Sequence, residues 1–336
     1  MRALCLDYEL RTLVERDVAP ATPPAHGEVL LRVEEIGVCA TDRELARFRF
    51  GVPPEGESHL ILGHEALGQV EWAGAGVTTL HRGDWVTPLI RRNCAPQCPS
   101  CVAGRRDLCE TGLYFERGIN RAHGYFTEFV TDPEADLLVV PESLLDVAVL
   151  AEPLSVVEKA IETAFRCHPM TPRTAIITGA GPVGLLAALA LQVRGLAVTV
   201  VSLEPDDHPR VALLRRASVA YLRSQPPAPA DIVMEASGSS AATLAALEWI
   251  APHGVFILIG APDLDLPVPA MRMILDNLTV AGVVNAARHH IDAALYDLAH
   301  IPRPWLEALI ERRPFEAWRD TLAGPASTPK TVHRIR

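Results

Sequence analysis

An α/β protein is predicted, in which a doubly wound parallel sheet follows a mainly β domain, and three features of the 336-residue sequence carry the prediction. From Thr174 onward, short apolar β-rich runs alternate with helical stretches. A glycine-rich turn, Gly179-Ala180-Gly181-Pro182-Val183-Gly184, lies between the first such strand and the first such helix. Before about residue 150 the texture differs, with short β-rich runs broken by Pro and Gly clusters.

The elements follow in order. Glu28 to Glu34 and Gly68 to Trp72 read as strands of the first domain, whose loops hold most of the Cys, His and Glu residues discussed below. Near Ala151 the pattern turns helical (EPLSVVEKAIETAF). It then runs as strand AIITG, helix PVGLLAALALQVRG, strand AVTVVS, helix-like RVALLRR, strand DIVMEASG, helix SAATLAALEWI and strand GVFILIG. Strands alternating with helices at this spacing imply a parallel sheet covered on both faces. The Pro-rich segment 225–230 reads as a surface loop. After Asn285 the chain returns to amphipathic and mixed segments, and the adjacent His289 and His290 are expected at the surface.

Composition narrows the function classes. A chain of 336 residues with 49% hydrophobic and 21% charged residues has material for about two domains, each with its own core. A net charge of −10 with no basic run argues against nucleic-acid and anionic-membrane surfaces. The start, MRALCLDYELRTL, carries charges where a secretory signal needs an apolar core, and no run of eighteen apolar residues occurs. Seven cysteines, four of them within residues 94–109, suit reduced thiols and metal in the cytoplasm better than a disulfide framework.

Two zinc sites of different kinds are expected. Cys94, Cys98, Cys101 and Cys109 are local in sequence, as the four thiolates of a closed structural site are. Cys39, the pair His64-Glu65 and Glu152 are scattered and chemically mixed, as ligands of a catalytic zinc with an open position are. Glu152 also suits a helix N-terminus, where the dipole favours a carboxylate. For a nucleotide, Gly179, Gly181 and Gly184 permit close approach, and Pro182 and Val183 open a helix whose N–H groups face a pyrophosphate. After the second strand Ser202 stands where a ribose-binding acid is usual. Glu204 follows in an acidic run with no arginine before Arg210, which favours NAD over NADP unless Glu204 is a solvated loop charge.

These features resemble a known family. The stretch GHEALGQVEWAGAGV (63–77) is similar to the zinc signature of the medium-chain alcohol dehydrogenases, and GVCATD supplies its upstream cysteine. TDREL, RRNC, CETGLYFERGI, HGYFTEF and AEPLSVVEKA look like the microbial glucose 1-dehydrogenase, or aldose dehydrogenase, branch. The resemblance implies a GroES-like catalytic domain from residues 1–165 and 286–336 and a Rossmann domain over 166–285, with the active site in the cleft between them. It makes Cys39 and His64 zinc ligands, with Glu65 and Glu152 ligating directly or through water. Thr41 would begin a proton relay, although Glu44 stands where many alcohol dehydrogenases place the relay histidine. Glu116 and Asn285 would join Thr41 and Glu152 in contacting a sugar. Glu116 has the alternative of an ion pair with Arg117, Arg121 or another arginine. The cysteine lobe departs by one residue from the commoner spacing, and Ile90 and Leu275 stand where a relative has polar groups.

The activity so implied is NAD(P)-dependent oxidation of C1 of an aldose such as glucose to the lactone, by a homodimer or homotetramer. A polyol or secondary-alcohol dehydrogenase on the same scaffold is the alternative substrate class. A nucleotide-binding redox sensor without chemistry is the alternative of another kind, and the intact Cys39, His64 and Glu65 weigh against it.

Overall fold

The computed structural model describes residues 1–262, 265, 269–324 and 330–336. The chain divides into two compact units, one of Met1–Glu152, Ala286–Leu298 and Ile310–Arg336, the other of Pro153–Asn285 and Ala299–Leu309. The second unit thus begins at Pro153, inside the helix Ala151–Cys167, and takes in a short later segment as well.

In the first unit a seven-stranded sheet is built around the long strand Glu28–Val38. Its burial alternates along EVLLRVEEIGV, the period-2 pattern of a strand with one face on a core. Glu65–Ala73, Phe129–Pro133 and Lys330–Arg334 all pair with it antiparallel. Ile310–Pro314 lies parallel to Lys330–Arg334 at the sheet's end. The register sets Gly37 opposite Glu65 on one side and Val332 on the other, so residues from the beginning, middle and end of the chain meet at one point. Leu31, Val33, Ile36, Phe126, Phe315 and Trp318 pack into the core of this unit.

The second unit carries a six-stranded, all-parallel sheet. Its order places Thr174–Thr178 between Ala197–Val201 and Ala230–Glu235, with Ala220–Leu222 and Thr279–Gly282 at the two edges. This is the Rossmann order, in which the chain winds outward in both directions from the first strand. The strands are continuous apolar runs because both faces are covered. The helix Pro182–Val193 buries every residue from Gly184 to Leu191. Among the described residues no helix is long and apolar enough to cross a membrane. One expectation for the chain's last third is corrected: His290 is 1% exposed, because its Nδ1 accepts the Ala287 N–H at 2.9 Å and so belongs to the fold.

Candidate active site and nucleotide pocket

Cys39 ends the strand Glu28–Val38 and caps the helix Ala40–Ala46. Its Sγ accepts the Thr41 N–H at 3.2 Å, and its own N–H donates to Asp42 Oδ2 at 2.9 Å. The cap explains why Thr41 and Asp42 follow the cysteine so closely, since this turn aims the thiol and leaves two polar side chains beside it. His64 lies just ahead of the strand Glu65–Ala73, 4% exposed, with Nε2 at 3.0 Å from Cys39 Sγ and Nδ1 at 3.3 Å from Asp42 Oδ1. A carboxylate facing one ring nitrogen, with the other turned to the thiol, is a common arrangement behind metal-bound histidines.

Glu65, 1% exposed, forms an ion pair with Lys330, which is equally buried. Gly37 makes this possible, because a side chain there would overlap the Glu65 carboxylate and crowd Lys330. Glu152 stands in the first turn of the helix Ala151–Cys167. Burial raises its carboxyl to about 7, a rise that Glu65 adds to while His64 and Lys330 oppose it. Burial alone would keep His64 neutral, but the Cys39 and Asp42 charges outweigh it and hold the imidazole well above its ordinary value.

The donor set fits zinc. Cys39, His64 and Glu65 each direct a ligand atom to within 4.8 Å of the others. Bond lengths of about 2.3 Å to sulfur and 2.0–2.1 Å to nitrogen put tetrahedral S and N atoms about 3.6 Å apart. The 3.0 Å contact here would open by about half an ångström to admit an ion.

The four-cysteine lobe fits as well. Cys94, Cys98, Cys101 and Cys109 form one cluster, with sulfur separations of 3.7 Å for Cys94 to Cys101 and 4.0 Å for Cys98 to Cys109. Zinc–thiolate bonds of about 2.3 Å require roughly 3.8 Å between sulfurs. The extra residue in the first spacing is absorbed by the loop around Pro96, and the Cys98 N–H donates to Cys94 Sγ at 3.2 Å.

A further trio, Glu57, His59 and His123, has comparable spacing but different chemistry. His123 Nδ1 accepts the Ile61 N–H at 3.1 Å, so its proton sits on Nε2 and is donated to Glu57 at 2.9 Å. With that proton in place Nε2 offers no lone pair to an ion.

Glu116 is 8% exposed and accepts from Arg91 Nε at 2.9 Å, with the Arg91 guanidinium stacked 3.8 Å over the Tyr114 ring. The ion pair held open as its alternative role therefore exists, with Arg91 as a partner. Arg117 and Arg92 pair with Asp132. Asn285, half-buried, closes the second unit in a left-handed conformation with φ of 58°.

In the second unit a cavity of about 620 Å³ opens over the glycine turn, lined by Gly179, Gly181, Ser202, Glu204, Arg210 and Arg223 among others. The three glycines do different jobs. Gly179 has φ of 89° and lies against Ser237, a side chain on Gly184 would overlap the Gly179 carbonyl, and Gly181 faces open space. Gly181 caps the helix Pro182–Val193 with no side chain, leaving the N–H groups of its first turn to an incoming anion. Ser202 Oγ accepts the Ala180 N–H at 3.1 Å, and Glu204 pairs with Arg210 at 3.0 Å.

Asp42, Lys330 and Arg91 were missed by sequence reasoning. Asp42 lay within the quoted GVCATD, and a carboxylate three residues after a candidate N-cap is a readable capping signal. Arg91 lay within the quoted RRNC and Lys330 is one of only two lysines, but neither signal names the carboxylate it pairs with.

Comparison with known proteins identifies the family. Residues 25–142 match the family model described as alcohol dehydrogenase GroES-like domain, and residues 145–333 match that described as glucose dehydrogenase C-terminus. The glucose 1-dehydrogenase of Methanocella arvoryzae is 37% identical over 311 residues, covering 86% of this chain and 87% of that protein. The enzyme of the same name from Thermoproteus tenax is 38% identical over 310 residues, covering 89% and 88%. Among solved structures, Haloferax mediterranei glucose dehydrogenase in complex with NADP, Zn and gluconolactone superposes with a TM-score of 0.92 at 32% identity, covering 99% of both chains.

Proposed function

The chain belongs to the zinc-dependent medium-chain alcohol dehydrogenases, within their glucose dehydrogenase branch, and from that premise we propose that it oxidises C1 of an aldose such as glucose to the lactone, reducing a nicotinamide nucleotide. The observation that carries the reading is the constellation of half-buried Cys39 with buried His64 and Glu65, with Asp42 behind the histidine and Lys330 behind the carboxylate. Metal binding falls to Cys39, His64, Glu65 and Glu152, and structural zinc to Cys94, Cys98, Cys101 and Cys109. A catalytic zinc would supply Lewis acidity that makes a substrate hydroxyl acidic near neutral pH. The protein's part is to hold the hydroxyl proton's path and the hydride's direction. Asp42 keeps the His64 ring oriented, Lys330 balances Glu65, and Thr41, fixed by the cap beside Cys39, offers a hydroxyl for the departing proton. The catalytic role is assigned to both chain ends and nucleotide binding to the central segment.

For the cofactor the proposal is NAD in preference to NADP. Its support is Glu204, which lines the nucleotide cavity and holds the Arg210 guanidinium in an ion pair. Seven unpaired thiols support action in the cytoplasm. Exposed Met271, Ile274 and Leu275, close to the edge strand Thr279–Gly282, support a homodimer or homotetramer formed by the second unit.

The alternative substrate class, a polyol or secondary alcohol, is favoured by one observation: Arg91 occupies Glu116, and Ile90 beside it is buried, so fewer polar groups remain for a sugar. One assay separates the two. kcat/KM is measured for glucose, galactose, xylose and a short secondary alcohol with both NAD and NADP, in the wild type and in His64→Ala. The expected result is a preference for sugars and for NAD, and a loss in His64→Ala of more than about 100-fold, beyond what a lost supporting residue costs, with nucleotide binding intact. A wild type that prefers the simple alcohol removes the aldose reading, a tenfold preference for NADP removes the cofactor reading, and a fully active His64→Ala removes the metal site.

A further inference from the structure

Away from the zinc residues, the first unit gathers positive charge in one place. A cavity of about 280 Å³ at the ends of the strands Ile310–Pro314 and Lys330–Arg334 is lined by Arg2, Arg312, Arg313, Arg334 and Arg336, with Phe315 among them. Five of the chain's 31 basic residues thus face one small concavity on a protein of net charge −10. Like charges held together repel unless something neutralises them.

Nearby carboxylates neutralise three of the five. Glu316 takes Arg2 at 2.5 Å, Glu35 takes Arg312 at 2.6 and 3.1 Å through both oxygens, and Glu311 takes Arg313 at 3.0 Å. Arg334 reaches only to 3.9 Å from the same Glu35, and its side chain is 63% exposed. Arg336 stacks 4.7 Å from the Phe129 ring. Among the described residues, Arg334 therefore only shares Glu35 with Arg312, and Arg336 has no side-chain carboxylate paired with it.

We propose that this cavity binds a phosphate dianion, either free or as the monoester of a small metabolite. Five guanidinium groups face three side-chain carboxylates here, an excess of positive charge that suits a dianion, and planar guanidinium forks match phosphate oxygens in geometry. The cavity has less than half the volume of the nucleotide cavity in the second unit, which suits a small anion and not a dinucleotide. Nucleic acid is disfavoured, because it needs an extended basic track and the rest of the chain is acidic. The site is independent of the residues assigned to the dehydrogenase reaction.

The test uses full-length, zinc-loaded protein saturated with its nicotinamide nucleotide, so that the glycine turn is occupied. Calorimetric titrations with inorganic phosphate and with glucose 6-phosphate are run against sodium chloride of matched ionic strength. The wild type is expected to bind at least one of the two, and Arg334→Ala/Arg336→Ala to weaken that binding at least tenfold while its melting temperature and turnover stay unchanged. Arg334→Gln, which keeps the side chain's bulk, should weaken it at least threefold and guards against a folding defect in the double variant. Tighter binding of glucose 6-phosphate points to a monoester, and equal binding to free phosphate. No binding by the wild type, or equal binding by wild type and variants, overturns the proposal.

Discussion

Glu134 shows how much one side chain can organise at the protein surface. Its carboxylate accepts N–H groups from Thr78 at 3.0 Å, Thr79 at 2.5 Å and Leu80 at 3.0 Å, and the Thr79 hydroxyl at 2.6 Å. The Thr79 hydroxyl and the backbone donors favour the charged form and hold the group near 2, below its ordinary 4.5. Because the folded value lies below the unfolded one, the contribution is complete above about pH 4.5 and is lost as pH falls toward 2. Glu134→Gln should therefore lower the melting temperature at pH 7, with the gap to wild type narrowing steadily by pH 3. Thermal melts at half-unit pH intervals give the answer, and a gap of constant size between pH 7 and 3 would show that charge is not what binds this loop.

At the scale of an element, the glycine turn separates folding from binding. A methyl group on Gly184 collides with the Gly179 carbonyl, so Gly184→Ala must push the helix Pro182–Val193 away from its strand. The expected loss is about 1–3 kcal/mol of stability, the range for overpacking. A methyl group on Gly181 meets nothing within 4 Å, and φ of −70° suits any residue. Gly181→Ala should therefore leave unfolding within about 0.5 kcal/mol of wild type while weakening nucleotide binding, since the space it fills is the ligand's. Urea melts and fluorescence titration of the nucleotide test both, and unaltered affinity in Gly181→Ala would mean that the pyrophosphate does not lie over this turn. Elements of this kind are where sequence was most legible. Most strands and helices from Thr174 to Leu258 fall where alternating apolar runs put them, because a buried parallel sheet leaves its pattern in consecutive residues; the short edge strand Ala220–Leu222 was not anticipated, and the strand Ile250–Leu258 starts within the stretch read as helix. His290 escaped the same reasoning, since its burial depends on a local bond to the Ala287 N–H and not on periodicity.

Across the whole molecule, the active-site candidate depends on contacts that no local pattern announces. Cys39 and His64 were readable because each lies in a dense motif. Lys330 was not: although it is one of only two lysines in the sequence, it reaches Glu65 from 265 residues away and no motif there names its partner. The Arg91 to Glu116 pair is hidden in the same way, because several arginines were equally plausible partners in sequence. Lys330→Met tests the long-range pair. It strands a buried carboxylate, and removal of one partner of a buried ion pair costs about 3–5 kcal/mol. Denaturant unfolding with zinc analysis is the measurement, and a variant as stable as wild type would mean that Glu65 is neutral or compensated by another group.

The arrival of Lys330 so late in the chain also bears on synthesis. The strand carrying Glu65 leaves the ribosome early, and at about 5–20 residues per second some 15 to 50 seconds pass before the strand Lys330–Arg334 follows. During that interval the central unit can fold, whereas the first unit's sheet still lacks a strand and Glu65 has no cation beside it. The pocket around Cys39, His64 and Glu65 thus cannot be completed before residue 330 is made, and until then its exposed Glu65 carboxylate would be open to adventitious cations.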